Sequence, residues 1–213
     1  MQKHAITDCR LYGFIDTAYL AGRDPAEITR QLIAGGVDII QVRAKKEKRS
    51  RRIELGLAVV RAAQDTSVPV IINDDIEAAY GTGADGVHLG QEDWTAIPRG
   101  ERHQRLMGLD ILGISTHSLT QAMEAERDGA NYIGVGPIHA TGTKPERKPV
   151  GVDLVHQVAT RVHTPFFAIG GITPGNLDTV LAAGATRIAV VSAILNAKDV
   201  TAAAKAFKDR LAA

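Results

Sequence analysis

A chain of 213 residues with 45% hydrophobic content is long enough for one large core, and its formal charge of +1 creates no global field that would draw it to nucleic acid or an anionic membrane. Cys9 stands alone, which excludes an internal disulfide framework and fits a reducing, cytoplasmic setting. The first eight residues lack an apolar h-region, and no later run approaches the roughly 18 apolar residues of a membrane span, so a soluble chain is expected.

In chain order, aliphatic runs bounded by turn residues predict strands near 11–15, 38–42, 69–72, 86–89, 111–114, 132–135, 166–169 and 187–191. Helical patterns fill most of the gaps and carry ordinary start signals. These are Asp24-Pro25 before Ala26, Ser118 with Gln121 three residues on, and Thr173-Pro174 before Leu177. The last amphipathic segment runs from Ala202 to Leu211. One phrase recurs four times, beginning at Gly36, Gly83, Gly129 and Gly184: a small-residue pair or equivalent, a polar residue, then an aliphatic stretch. Each copy predicts a helix ending at a left-handed glycine, followed at once by a strand. The copies are offset by 47, 46 and 55 residues, room for two strand-helix units each.

Strictly alternating strands and helices require a parallel sheet, and eight such units favour an α/β fold of one (β/α)8 TIM barrel over residues 1–213. No linker, low-complexity tract or second domain interrupts the pattern. In such barrels the chemistry lies at the carboxyl ends of the strands. The candidate rim therefore holds Asp16, Gln41, Arg43, Lys45, Asn73, Asp74, Asp75, His88, Gln91, Glu92, Asp93, Ser115, His117, Thr141, Thr143, Lys144, Gly170, Gly171 and Ser192.

Three groupings on that rim suggest phosphate chemistry. Seven Lys or Arg fall between Arg43 and Arg52; most suit a solvated loop and helix start, but Gln41, Arg43 and Lys45 alternate and would share one face of an extended segment, as a pyrophosphate requires. A nucleic-acid patch is the rival, against which stands the absence of interleaved aromatics. Asp74 and Asp93 follow neighbouring strands and could converge on Mg2+, which takes one or two protein carboxylates; Asp74 could equally cap the third helix, and Asp93 could be a plain turn residue. Glycines at 134, 136, 142, 170 and 171, with hydroxyls at Thr141, Thr143 and Ser192, offer a second anion site. Two anion sites imply two phosphorylated reactants. His88, inside a strand, suits a packed role, while His117 and His139 remain open as proton carriers.

The series Gln41-Val42-Arg43-Ala44-Lys45, Ile72-Asn73-Asp74-Asp75, Ala84 to Asp93, Gly113 to Ser118, Gly134-Val135-Gly136-Pro137, Thr141-Gly142-Thr143-Lys144, Ala168 to Ile172 and Val191 to Ile194 resembles the thiamine phosphate synthase family, in order, from about residue 11 to 195. The resemblance implies a pyrophosphate-releasing transferase that joins 4-amino-2-methyl-5-hydroxymethylpyrimidine diphosphate to a thiazole phosphate. It assigns Gln41, Arg43, Lys45, Asn73, Ser115 and Lys144, with the intervening Val42 and Ala44, to the pyrimidine diphosphate. Arg43, Lys45, Ser115 and Lys144 become the catalytic set. Thr141, Gly142, Thr143, Gly171, Val191 and Ser192 fall to the thiazole phosphate, and Asp74 and Asp93 to one Mg2+. Its partners would be two small molecules, with neither nucleic acid nor membrane; self-association stays open. A thiazole tautomerase of the same fold, which would lack the metal carboxylates or carry His at position 137, and a non-catalytic phosphate sensor are the alternatives. His139-Ala140 departs from the aromatic residue and proline of many relatives, which bears on loop closure.

Overall fold

The polar third residue of the repeated phrase stitches the bottom of a barrel. Asp38 accepts from the backbone N–H of Arg10 and Leu11, Asp85 from Val70, and Asn131 from Leu112. In each case the phrase ties its own strand to the start of the one before it. The glycines that open the four copies all have positive φ, from 66° at Gly83 to 103° at Gly184. A side chain there would strain the backbone, which is why glycine marks each helix-to-strand turn.

The molecule, seen in a computed structural model, is described over residues 2–143 and 147–212. Strand β1 (Leu11–Asp16) leads into α1 (Thr17–Leu20) and α2 (Pro25–Ala34). Strand β2 (Ile39–Arg43) precedes α3 (Arg49–Ala63), β3 (Val70–Asn73) precedes α4 (Ile76–Thr82), and β4 (Gly86–Leu89) precedes the short α5 (Gln91–Ala96) and α6 (Arg102–Leu106). Then come β5 (Ile111–Thr116), α7 (Leu119–Arg127), β6 (Tyr132–Val135), α8 (Val152–Arg161), β7 (Phe166–Ile169) and α9 (Leu177–Ala182). The chain finishes with β8 (Ile188–Ala189), α10 (Ser192–Leu195) and α11 (Val200–Ala212). All eight strands pair in parallel and in sequence order, and β1 closes on β8 through Leu11 opposite Ile188 and Tyr12 opposite Ala189. The expected (β/α)8 barrel is what forms.

Helices bury one face against the barrel wall. Leu32, Val59, Val155, Val158, Val180 and Phe207 are all no more than 2% exposed, and each such side chain stabilises the fold by about 1.5–3 kcal/mol. The start signals hold in two of three cases: Asp24 and Ser118 accept from the N–H of Ala26 and Gln121. Thr173-Pro174 instead opens a turn, because Asn176 Oδ1 takes the Thr173 N–H, and α9 begins only at Leu177. The eighth strand is shorter than expected. Val190 N still donates to the Tyr12 carbonyl, but Val191, at φ −107° and ψ −82°, leaves the extended conformation to start α10.

Candidate active site

A cavity opens at the carboxyl end of the barrel, lined on one side by Gln41, Arg43, Asn73, His88 and Ser115 and on the other by Thr141, Thr143, Gly171, Val191 and Ser192. Ten of the residues expected from the sequence, drawn from seven of the eight strands and the loops after them, thus line one space. Val42 and Ala44 bury their side chains in the surrounding core instead, as the pleat requires of alternate strand residues. Gly142 is exposed beside this rim, and Lys144 lies outside the described residues.

The first side is built from side chains already committed to partners. Arg43 Nη1 stands 2.7 Å from Asp16 Oδ2, with the two side chains 11% and 1% exposed, and its Nη2 reaches the Thr143 carbonyl at 3.4 Å. Asp16 holds Arg43 in place while its other oxygen caps α1 through Ala18 N. β2 ends at Arg43, and Lys45, two residues on, pairs with Asp74 at 3.1 Å.

Asp74 and Asp75 have separate tasks. Asp75, 4% exposed, caps α4 by accepting from Ala78 N and pairs with Arg49 and Arg52 at 3.2 and 3.0 Å. Asp74 is thereby released from capping, which corrects the helix-cap alternative. It adopts a left-handed φ of 59°, rare and costly for a non-glycine residue, and accepts from Gly90 N at 3.2 Å. Asp93 sits in the first turn of α5, its carboxylate beside that of Asp74. A Cβ on Gly90 would lie 3.1 Å from Asp93 Oδ2 and 3.8 Å from Asp74 Oδ1, so both carboxylates gather around a position kept free of side chain.

The charges of that pair are unequal. Burial raises the Asp74 carboxyl, but Lys45, His88 and Asn73 outweigh it and hold it below the ordinary carboxylate range. Burial and the neighbouring Asp74 push Asp93 up. Two converging carboxylates with one lysine between them are a donor set suited to a hard divalent cation that completes its shell with water and phosphate. No group of three or more acidic, His or Cys residues among the described residues offers a more enclosed site.

The opposite side is built from backbone. A Cβ on Gly170 would meet Pro137 Cα at 2.5 Å, and one on Gly171 would meet the Ala140 carbonyl at 2.5 Å. Both have positive φ, so the double glycine lets the end of β7 press against the segment after β6. Ile138 N and His139 N donate to the carbonyls of Ile169 and Gly170, which locks the two segments together. Ser192 opens α10 at the same rim. His117 Nδ1 contacts the Gly136 carbonyl from the cavity wall. His139 is not among the residues that line the cavity, and its buried Nε2 has no hydrogen-bond partner among the described residues.

The floor was not visible in the sequence. Tyr12, Phe14, Tyr132 and Phe167 pack edge-on or stacked with ring centroids 5.1–5.6 Å apart, and the first and third carry hydroxyls 2.7 Å from each other. The available signal was the appearance of tyrosine in two otherwise aliphatic strands, each in phase with an inward residue. Below Asp93, α5 is anchored by Trp94, whose Nε1 donates to Asp128 Oδ2 at 3.1 Å; Arg102 lies 3.9 Å over the indole and pairs with the same carboxylate.

A closed parallel barrel with its polar side chains gathered at the carboxyl ends of the strands places this chain among the (β/α)8 barrels of the enzyme type. The chain belongs to the thiamine monophosphate synthase family, whose profile matches residues 11–194. It is 43% identical to the thiamine-phosphate synthase of Chloroflexus aurantiacus, covering 94% of this chain and 91% of that one. It is equally 43% identical to the thiamine-phosphate synthase of Halalkalibacterium halodurans, with 94% of each covered. Among solved structures, thiamine phosphate pyrophosphorylase from Pyrococcus furiosus superposes with a TM-score of 0.86 at 29% identity over 98% of both chains.

Proposed function

We propose that the chain condenses 4-amino-2-methyl-5-hydroxymethylpyrimidine diphosphate with 4-methyl-5-(2-phosphooxyethyl)thiazole, giving thiamine phosphate and pyrophosphate. The observation that carries this reading is one cavity with two unlike anion-receptive sides, in a chain about two-fifths identical to thiamine-phosphate synthases over nearly all its length. Gln41, Arg43, Asn73 and Ser115 take the pyrimidine diphosphate together with Lys45, and the family resemblance adds Lys144, which lies outside the described residues. Thr141, Thr143, Gly171, Val191 and Ser192 take the thiazole phosphate through hydroxyls and backbone N–H groups. Asp74 and Asp93 are suited to hold one Mg2+, which when bound supplies Lewis-acid stabilisation of the departing diphosphate.

The remaining work falls to this chain's residues. The reacting methylene is attached to an electron-rich aminopyrimidine and tolerates positive charge, so the C–O bond breaks before the thiazole nitrogen attacks. Arg43, prealigned by Asp16, meets the negative charge that grows on the leaving group without having to reorganise. The aromatic floor lines the cavity and limits the water that can reach the positive carbon. The two sides hold both reactants in one cavity, which turns a bimolecular encounter into an oriented one. No protein nucleophile is needed.

The test is a synthesis assay with both substrates and Mg2+, reading thiamine phosphate and pyrophosphate together. Equal amounts of the two products are expected. Binding of both substrates without product would overturn the synthase reading and favour a phosphate sensor; isomerisation of the thiazole alone would favour a tautomerase.

A further inference from the structure

The two sides of the cavity touch at Thr143. Its carbonyl takes Arg43 Nη2 at 3.4 Å, its N–H donates to Thr141 Oγ1 at 3.3 Å, and its hydroxyl lies 3.0 Å from that of Tyr19. Tyr19 belongs to α1 and is not among the residues that line the cavity. We propose that Tyr19 is a positioning residue for the thiazole phosphate, holding the Thr143 hydroxyl so that its proton is given to the phosphate.

The helix that carries Tyr19 is fixed at both ends. At its start, one oxygen of Asp16 accepts from Ala18 N while the other takes Arg43 Nη1. A single carboxylate thus sets both the arginine that reaches the Thr143 carbonyl and the helix whose tyrosine reaches the Thr143 hydroxyl. The contacts close into a ring: Asp16, Arg43, Thr143, Tyr19 and back through α1. At the other end, Arg23 Nη2 donates to the carbonyls of Tyr19 at 2.7 Å and Leu195 at 2.6 Å, and its Nε to that of Leu20 at 3.0 Å. Leu195 closes α10, whose first residue is Ser192. One short helix therefore braces both walls of the second anion site, the turn at Thr141–Thr143 and α10. A Cβ on Gly142 would lie 3.7 Å from Tyr19 Oη, so the tyrosine hydroxyl runs along that turn.

The ligand gives the contact its direction. Between the two hydroxyls alone, either can donate. A phosphate dianion only accepts, so when it lies on Thr143 Oγ1 the threonine gives it its single proton, and Tyr19 becomes the donor to the same oxygen. A hydroxyl that receives a proton while giving its own donates more strongly. Its oxygen is also placed in advance, which spares the cost of ordering it on binding. Phenylalanine at position 19 would keep the ring, which packs against the core, and lose only this hydroxyl contact.

The role of Tyr19 rests on the assignment of Thr143 to the thiazole phosphate, and one set of measurements separates the two. The wild-type chain and Tyr19→Phe are titrated calorimetrically with 4-methyl-5-(2-phosphooxyethyl)thiazole and with the same thiazole as its free alcohol, alongside the synthesis assay. Tyr19→Phe is expected to weaken binding of the phosphate ester and raise its KM about fivefold, with alcohol affinity, KM for the pyrimidine diphosphate and kcat each within about twofold. Damage to the fold would move all of these together. In Thr143→Val, which keeps the shape and removes the hydroxyl, adding Tyr19→Phe should cost nothing further. Wild-type affinity for the ester in Tyr19→Phe, equal losses for ester and alcohol, or an undiminished effect in the Thr143→Val background overturns the role of Tyr19 and leaves the synthase reading standing. An ester-selective loss in a chain that binds both substrates without forming product supports Tyr19 and overturns the synthase reading. A wild-type chain that does not bind the ester overturns both.

Discussion

The two sides of the cavity recognise anions by opposite means. Between β1 and β5 the groups are side chains, each fastened from behind: Arg43 by Asp16, Asp74 by Lys45 and Gly90 N, Ser115 by His88. Between β6 and β8 the surface is mostly main chain, shaped by glycines at which any Cβ would collide with the neighbouring segment. The first design tunes charge and can be weakened in steps; the second tunes shape and fails by displacement.

The contrast is tested most severely at Asp16. Asp16→Ala should cost about 3–5 kcal/mol in urea unfolding, because it leaves the nearly buried Arg43 without its counter-charge. A loss below about 1 kcal/mol would show that the guanidinium can turn to solvent and is not prealigned. Next, Asp93→Asn should reduce turnover roughly 100-fold and weaken the Mg2+ dependence, while the melting temperature stays level or rises slightly. The sign is set by the raised Asp93 carboxyl: a group harder to ionise in the folded chain detracts from stability at neutral pH, so its removal relieves the fold. Full turnover in that variant would remove Asp93 from the proposed metal site.

On the main-chain side, Gly170→Ala should cost about 2 kcal/mol and raise KM for the thiazole phosphate more than for the pyrimidine diphosphate, since the added methyl drives the ends of β6 and β7 apart. Equal changes in both KM values would show that the two sides do not divide the substrates. The smallest effect belongs to Asp75→Asn, about 1 kcal/mol at neutral pH, because the α4 cap survives and only the Arg49 and Arg52 pairing is lost. Burial raises the Asp75 carboxyl, but the Ala78 N–H and the two arginines outweigh it and lower it overall. Its contribution is full above the unfolded value of about 4 and is lost as pH falls through the lowered native one, so the two proteins should converge in acid.

The barrel was legible because its signals are local. Aliphatic runs gave all eight strands to within about two residues of their ends, and left-handed glycines marked the turns before half of them. Most of the rim followed once the fold was known. What escaped depended on geometry that adjacent letters do not encode. Asp74 and Asp75 are the same residue type side by side, and only the backbone twist at Asp74 decides which one caps α4. Lys45 keeps the alternation of Gln41 and Arg43 on paper, yet the strand ends at Arg43 and the lysine pairs with Asp74. The contacts from Tyr12 through Tyr132 and His88 to Ser115 join strands from across the chain, and Gly113, which leaves room for Tyr132 and His88 to meet, contributes by having nothing to show.

The anchoring of Trp94 to Asp128 and Arg102 has a consequence for the acidic pair beside it. Asp74 hangs from the end of β3, whereas Asp93 rides on a helix bolted to the end of α7. The gap between the carboxylates is thus a calliper with one jaw in the sheet layer and one in the helix layer. Its opening is set by how the layers seat on each other, so a change at Trp94 or Asp128, neither of which lines the cavity, would reach the proposed Mg2+ site as a change in the ionic radius it prefers.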